Sequence, residues 1–196
     1  MVDSTSQAGT GTVDYDQSKS RALVSKAIGR DFEAFGELYR IYLDRIYRYV
    51  FYHVREKMTA QDITEEVFLK AWKAIGSCKG KEQTFSSWLY RIAHNQVIDS
   101  HRSRQRRLTV EIAMENLPEV VDTKQEMDAK LDQQQLLEAI TCLDEKQKQI
   151  IILKFIEGMD NNEIEQIVGK NQGYIRVLQM RALHTLRQRL VETNRK

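Results

Sequence analysis

The sequence predicts an all-α protein: two small helical domains joined by a flexible acidic linker. Three observations carry this. Apolar residues recur at three- and four-residue steps, and no segment alternates with the period of two that a half-buried strand needs. Pro118 is the single proline in 196 residues, so almost nothing interrupts a helix. Around residues 108–130 the apolar period lapses, and Glu111, Glu115, Glu119, Asp122, Glu126, Asp128 and Asp132 face only Lys124 and Lys130. The chain therefore divides into a disordered lead-in (1–20), a first domain (21–107), a linker (108–130) and a second domain (131–196).

The lead-in is polar, with Gly9 and Gly11 among serines and threonines, and lacks the basic-then-apolar pattern of a secretion signal. Leu23, Val24, Ala27 and Ile28 predict a short helix ending at Gly29. Asp31 can cap the next helix. Its stripe of Phe32, Phe35, Leu38, Tyr39, Tyr42, Ile46, Tyr49 and Val50 is expected to be core rather than a stacking platform. Thr59 and Asp62 suggest a capping-box-like start to a helix that stops near Gly76. On it Ile63, Val67, Ala71 and Ile75 can face a core, which leaves Phe68, Leu69 and Trp72 around the side, beside Asp62, Glu65 and Glu66. That face suits a partner surface or a wide core stripe with a solvated acidic edge, and composition alone leaves both open.

After a loop, Thr84 or Ser86 can cap a helix with Phe85, Trp88, Leu89, Ile92, Ala93 and Val97 inward. Arg91, His94, Asn95, Ser100, His101 and Arg102 form its outward side. In the second domain, Leu131, Leu136, Leu137, Ile140 and Leu143 predict one helix. A second carries Ile150, Ile151, Leu153 and Phe155 and ends at Gly158. Asp160 and Glu163 make a capping box for a third, with Ile164, Ile167 and Val168 before Gly169. Asn171 opens a fourth, with Ile175, Leu178, Ala182, Leu183, Leu186 and Leu190.

A net charge of +2 conceals two basic segments, at residues 84–107 and 171–196, on either side of the acidic gap. Two separate cationic patches suit an extended polyanion touched at two places. The short capped helix, the Gly169-Lys170 turn and the longer basic helix form a helix-turn-helix pattern. Its second helix would lead into a major groove with Asn171, Gln172, Gly173, Tyr174 and Arg176. Asn171, Gln172 and Arg176 are suited to base edges, and Arg181 and Arg187 to phosphate.

Catalysis is not expected, nor is a cofactor, a metal or a small-molecule substrate. There is no Gly-rich phosphate loop and no nucleophile–base pair, and Cys78 and Cys142 lack a C-x-x-C partner. His53, His94, His101 and His184 are scattered along the chain and read as surface or core residues. No apolar run approaches the roughly 18 residues a bilayer span requires, so membrane insertion is not expected and a cytoplasmic location is.

The run from Leu143 to Met159 resembles the opening of region 4 of the bacterial sigma-70 family, and Glu163-Ile164, Ile167-Val168-Gly169 and Arg181-Ala182 are similar to its helix-turn-helix. Asp62 to Trp72 resembles region 2.2, and Phe85 to Asn95 with Ile98-Asp99 resembles regions 2.3 and 2.4. The likeness runs in order from about Ala22 to Leu190 and leaves no room for further domains, the pattern of the extracytoplasmic-function (ECF) subgroup. The resemblance implies a sigma region 2 bundle followed by a sigma region 4 helix-turn-helix, acting as an initiation factor on core RNA polymerase and promoter DNA. Contacts with the β′ clamp helices would fall at Asp62, Glu65, Glu66, Phe68, Leu69 and Trp72; a β flap contact and an anti-sigma partner are also implied.

The same resemblance places −10 recognition at Tyr90, Arg91, His94, Asn95, Asp99, Arg102 and Arg104. It places −35 recognition at Asn171, Gln172, Gly173, Tyr174, Arg176, Gln179, Arg181 and Arg187. Tyr90 is expected to be the exposed aromatic and Trp88 a core residue. His94 stands where arginine is frequent in the family, Tyr174 where threonine is, and Leu178-Gln179 exchange the usual order, so base preference does not transfer. About 25 extended residues of linker reach on the order of 80 Å, at roughly 3.3 Å each. That spans more than two turns of duplex at about 34 Å per turn. Linker acidity fits repulsion from DNA, plain solvation, or mimicry of nucleic acid in a polymerase channel. The alternative function is a helix-turn-helix operator-binding regulator with an N-terminal sensing or dimerisation domain; a protein-binding helical adaptor is a third.

Overall fold

The computed structural model describes residues 11–78, 85–111 and 137–193. Side chains are described over 20–78, 85–104 and 137–189. The first domain contains α1 (Gly11–Ile28), α2 (Phe32–Val54), α3 (Lys57–Ala74), a 3-10 turn (Ile75–Ser77) and α4 (Phe85–Glu111). The second contains a helical turn at 137–140, then α5 (Glu145–Ile151), a π turn (Ile152–Ile156), α6 (Asn161–Val168) and α7 (Gln172–Thr193). No strand occurs among the described residues.

α1 begins at Gly11, inside the expected lead-in, and is longer than the four apolar residues near its end suggested. Residues 1–10 lie outside the described region, as does most of the expected linker; α4 runs through Glu111, past the expected linker start at 108. Leu131 and Leu136 and the proposed cap Thr84 also fall outside it.

α2 starts as expected, with Asp31 Oδ1 accepting from the Ala34 amide at 3.0 Å. It ends at Arg55, whose backbone adopts φ +61° and whose amide closes onto the Phe51 carbonyl. The α3 cap differs from the Thr59–Asp62 expectation. Glu56 is the cap, and its two carboxylate oxygens take the Met58 amide at 2.8 Å and the Thr59 amide at 2.6 Å. A long side chain folding back on its own backbone leaves no short-range pattern for a capping rule to detect.

In the second domain the expected caps are present. Asp160 Oδ1 accepts from the Glu163 amide at 2.8 Å while Glu163 Oε2 accepts from the Asp160 amide at 2.9 Å. Asn171 Oδ1 caps α7 by accepting from the Tyr174 amide at 2.9 Å. Gly169 ends α6 in the left-handed region at φ +67°, where a side chain would be strained. Because the box satisfies two otherwise orphaned amides, Asp160→Ala should destabilise the second domain by about 1 kcal/mol, measurable by urea unfolding.

The helix expected to run to Gly158 is not uniform. After Ile151 it widens into a π turn, with the Glu157 amide bonded to the Ile152 carbonyl at 3.0 Å. Such turns recur at functional sites. Here Ile152 and Leu153 are buried in the core, Glu157 is carried against the first domain, and Phe155, expected in the core, is 56% exposed.

α2 packs against α1, α3 and α4; α5 and α6 both pack on α7. The two domains also touch: α4 packs on α6, and α2 on the π turn. Leu38, Ile46, Tyr49 and Leu89 therefore belong to the same apolar cluster as Ile150, Ile152, Leu153 and Ile164.

Candidate partner and nucleic-acid surfaces

Three surfaces carry the residues singled out in the sequence. The first is α3. Ile63, Val67 and Ala71 are buried as expected. Phe68 is buried too, against the Tyr39 ring at 4.7 Å, which corrects its placement around the side. The reason is that the aromatic stripe of α2 offers α3 a wide surface to cover.

Trp72 is half-buried between Phe32 and Phe35, with the Arg30 guanidinium 5.4 Å from its ring and donating to its carbonyl at 3.1 Å. Leu69 remains 59% exposed and Phe32 73% exposed, and Asp62, Glu65 and Glu66 are all exposed. An apolar strip with an acidic border is thus left open to a partner.

The second surface is the recognition helix. Arg176, Arg181 and Arg187 are exposed, and so are Asn171 and Gly173. Gln172 donates to Asn162 Oδ1 at 2.6 Å and Gln179 to Asn161 Oδ1 at 3.1 Å, so the start of α6 orients two amides of the reading face. Tyr174 is half-buried against the core. Val177, Met180 and Leu183 are exposed; for Leu183 this departs from the expected inward stripe.

The third surface is α4, and here the structure departs most from expectation. Asn95, Asp99, Arg102 and Arg104 are exposed. Tyr90, expected to be the exposed aromatic, is wholly buried. Its ring meets Tyr49 edge-on at 5.2 Å, and its hydroxyl donates to Glu157 Oε2 at 2.6 Å. Trp88 is half-buried and packs against Phe85. Arg91, expected outward, donates Nε to the Ile167 carbonyl at 3.3 Å and Nη2 to the Gln166 carbonyl. Ser87 donates to Gln166 Oε1 at 3.1 Å. Helical periodicity distinguishes inward from outward on a lone domain; it has no information about a second domain docking on the outward face.

Glu157 is the centre of this docking, and nothing in its local sequence marked it. Its side chain is 0% exposed, with Arg48 donating Nε at 2.8 Å and Nη2 at 3.1 Å, and Arg45 Nε lying 3.6 Å away. A buried carboxylate is tolerable only with such pairing, and removing one partner of a buried pair typically costs about 3–5 kcal/mol. Burial, the neighbouring carboxylate and the hydrogen bond to it hold the Tyr90 phenol well above its ordinary range.

A second polar group lies at the same boundary. His53 and His94, distant in sequence, have ring centroids 6.2 Å apart, and Tyr49 Oη lies 3.2 Å from His94 Nδ1. Both His53 nitrogens are buried without a hydrogen-bond partner, and Glu145 Oε2 approaches Nδ1 only to 3.8 Å. Burial lowers both histidines, His94 to about 4, with His53 adding to the effect at His94. Glu145 is held down to about 2 by His53 and then by Lys148.

The signs agree. A histidine depressed in the folded state contributes full stability above its unfolded value near 6.5, and loses it as the pH falls. For His94 the loss runs from about 6.5 towards 4. The Glu145 contribution persists to lower pH and fades towards 2. Urea unfolding should therefore show lower stability at about pH 5 than at about pH 7, with a flatter profile in His94→Asn. Equal slopes in the two proteins would refute this assignment.

The described residues hold no group of His, Cys, Asp and Glu able to bind a metal, and no helix among them is long and apolar enough to cross a membrane. A basic helix-turn-helix joined to a helical bundle with an acidic, apolar-edged face defines a two-domain, all-helical transcription protein. Residues 38–107 match the Sigma-70 region 2 family, and residues 133–186 match Sigma-70, region 4.

Among characterised relatives, the ECF RNA polymerase sigma factor BldN of Streptomyces coelicolor is 37% identical over 88% of this chain and 66% of its own length. SigD of Mycobacterium tuberculosis is 30% identical over 87% of this chain and 83% of its own. SigW of Bacillus subtilis is 30% identical over 82% and 90%. The chain belongs to the sigma-70 family, in its ECF subgroup.

The fold is shared with CnrH, solved with the cytosolic domain of CnrY, at a TM-score of 0.70 and 20% identity over 89% of this chain and 98% of that one. It is shared also with RpoE of Bartonella quintana, solved with the anti-sigma factor NepR, at a TM-score of 0.68 and 22% identity over 80% and 96%.

Proposed function

We propose that this chain binds core RNA polymerase and directs promoter-specific initiation, with α4 reading and opening the −10 element and α7 reading the −35 element. The observation that carries the reading is the open face of α3. Leu69 and the edge of Trp72 lie beside Asp62, Glu65 and Glu66, on a chain that also bears an exposed basic recognition helix. An operator-binding regulator has no need of that face; a factor that must hold the polymerase β′ clamp helices does. The exposed Val177, Met180 and Leu183 supply apolar surface for the β flap.

On α7, Arg176 with Gln172 and Gln179 is placed for base edges, and Arg181 and Arg187 for phosphates. On α4, Asn95, Asp99, Arg102 and Arg104 are accessible to a melted strand, while Tyr90 and Arg91 need the second domain to move away and His94 is half-buried against Tyr49 and His53. Single-strand capture combines cationic tracking with stacking, so Tyr90 would act only once uncovered. The protein acts without catalysis of its own, on the cytoplasmic polymerase, and an anti-sigma factor is its proposed inhibitor, as the CnrH–CnrY and RpoE–NepR complexes suggest by fold.

Run-off transcription with purified core enzyme on fragmented genomic DNA tests the reading. Discrete transcripts that depend on this protein are expected. Duplex binding with no effect on core would return the operator-regulator alternative.

A further inference from the structure

We propose that Asn161 and Asn162 of α6 are positioning residues that set the base preference of α7, by holding the amides of Gln172 and Gln179 ready for adenine. This deepens the reading of α7 as the −35 helix and rests on it. Gln172 donates Nε2 to Asn162 Oδ1 at 2.6 Å, and Gln179 donates Nε2 to Asn161 Oδ1 at 3.1 Å. Each amide nitrogen has two protons. With the proton remote from the carbonyl given to asparagine, the other N–H and Oε1 remain side by side as a free donor–acceptor edge. That edge matches adenine, whose N7 accepts and whose N6 amino group donates in the major groove. Guanine presents two acceptors there and leaves Oε1 facing one of them. A glutamine with no such brace flips its amide and samples many rotamers, so it loses more freedom on binding and discriminates less.

The asparagines stand on a fixed platform. Asp160 and Glu163 close their capping box around them, and Asn171 caps α7 one residue before Gln172. Gly173 keeps that cap clear, since a Cβ there would stand 3.3 Å from Asn171 Oδ1. Both helix starts are thus tied down where the Asn162–Gln172 pair bridges them. Gln172, Arg176 and Gln179 follow one another at steps of four and three, along one face of α7. Arg176, exposed between the two held amides, is suited to guanine. Seven residues advance about 10 Å along a helix, close to three base pairs at roughly 3.4 Å each. The stripe therefore selects two adenines about that far apart, on either strand.

The test is selection from a pool of randomised duplex DNA by the full chain in complex with core RNA polymerase, read by sequencing. Gln172→Ala and Gln179→Ala assign the position that each glutamine reads, and adenine is expected at both in the parent. Asn162→Ala should lower the adenine preference about fivefold at the Gln172 position alone, and Asn161→Ala likewise at the Gln179 position. Both asparagines reach the surface, and circular dichroism should show both variants folded as the parent. Asn162→Asp keeps an oxygen that can only accept. It should retain the adenine preference, while its negative charge weakens binding to every sequence alike. Loss of the preference in Asn162→Asp would overturn the assigned amide orientation. If the glutamine variants alter the profile while the alanine variants at Asn161 and Asn162 leave it unchanged, or weaken all sequences evenly, the brace is overturned and the reading of α7 stands. A base other than adenine at those positions would overturn the preference. A parent that selects no sequence would remove the reading of α7, and the brace with it.

Discussion

Glu66→Arg should weaken binding to core RNA polymerase by roughly thirty-fold, about 2 kcal/mol, while leaving the fold nearly unchanged. Glu66 is exposed on α3 and its only described ion pair is with Lys70, one turn on, at 3.5 Å. Exposed pairs of this kind contribute about 0–1 kcal/mol, and a like-charge pair in its place costs a few tenths more. The folding effect is therefore small.

At a protein interface the same reversal places a cation where the acidic border of Asp62, Glu65 and Glu66 would face a basic partner, and such juxtapositions cost several kcal/mol. Leu69→Ala should weaken binding through lost apolar contact at the centre of the strip. The measurement is core affinity by fluorescence anisotropy, with duplex DNA affinity of the same protein as the control. Equal loss of both would remove α3 as a distinct polymerase contact.

Tyr49→Ala should lower global stability by about 3–5 kcal/mol, among the largest effects available to one substitution in this chain. Tyr49 is fully buried, with Tyr90 at 5.2 Å and His53 at 4.7 Å between ring centroids. Its hydroxyl meets His94 at the domain boundary, so truncation opens a cavity in the first domain and under the second at once. Against a total stability of about 5–15 kcal/mol, this is roughly a fifth or more of the whole. A protein of this size should lose roughly 10 °C in Tm. Tyr49→Phe removes only the hydroxyl and should cost about 1 kcal/mol. Calorimetry on the three proteins decides it; a Tyr49→Ala value within about 1 kcal/mol of the parent would mean that the site collapses around the loss.

Much of the fold was legible because its determinants are local. Asp31, Asp160 with Glu163, Gly169 and Asn171 act within four residues of where they stand, and each serves where its chemistry predicted. The aromatic stripe of α2 was legible as core from its spacing alone, although Tyr39 and Phe32 stay partly or largely open. The Glu56 cap was not legible, since a glutamate reaching back to its own helix looks like any surface acid. Phe68 was misplaced because the width of a buried stripe depends on the neighbour that covers it.

The candidate surfaces divide in the same way. The acids of α3 and the arginines of α7 are exposed, as polar residues opposite an apolar stripe should be. The outward face of α4 was legible as polar, yet its fate was not: Tyr90 and Arg91 lie beneath residues some seventy positions away at Glu157, Gln166 and Ile167, and His94 meets Tyr49 and His53 of α2.

By itself, then, the sequence determined most of the helices, the caps at Asp31, Asp160 and Asn171, the helix-turn-helix and the family, because each depends on side chains a few residues apart. Only the tertiary structure decided that one buried carboxylate joins the domains, that His53 meets His94, and that Tyr90 and Arg91 of α4 are covered. Those are contacts between distant segments, and periodicity along one helix contains no term for them.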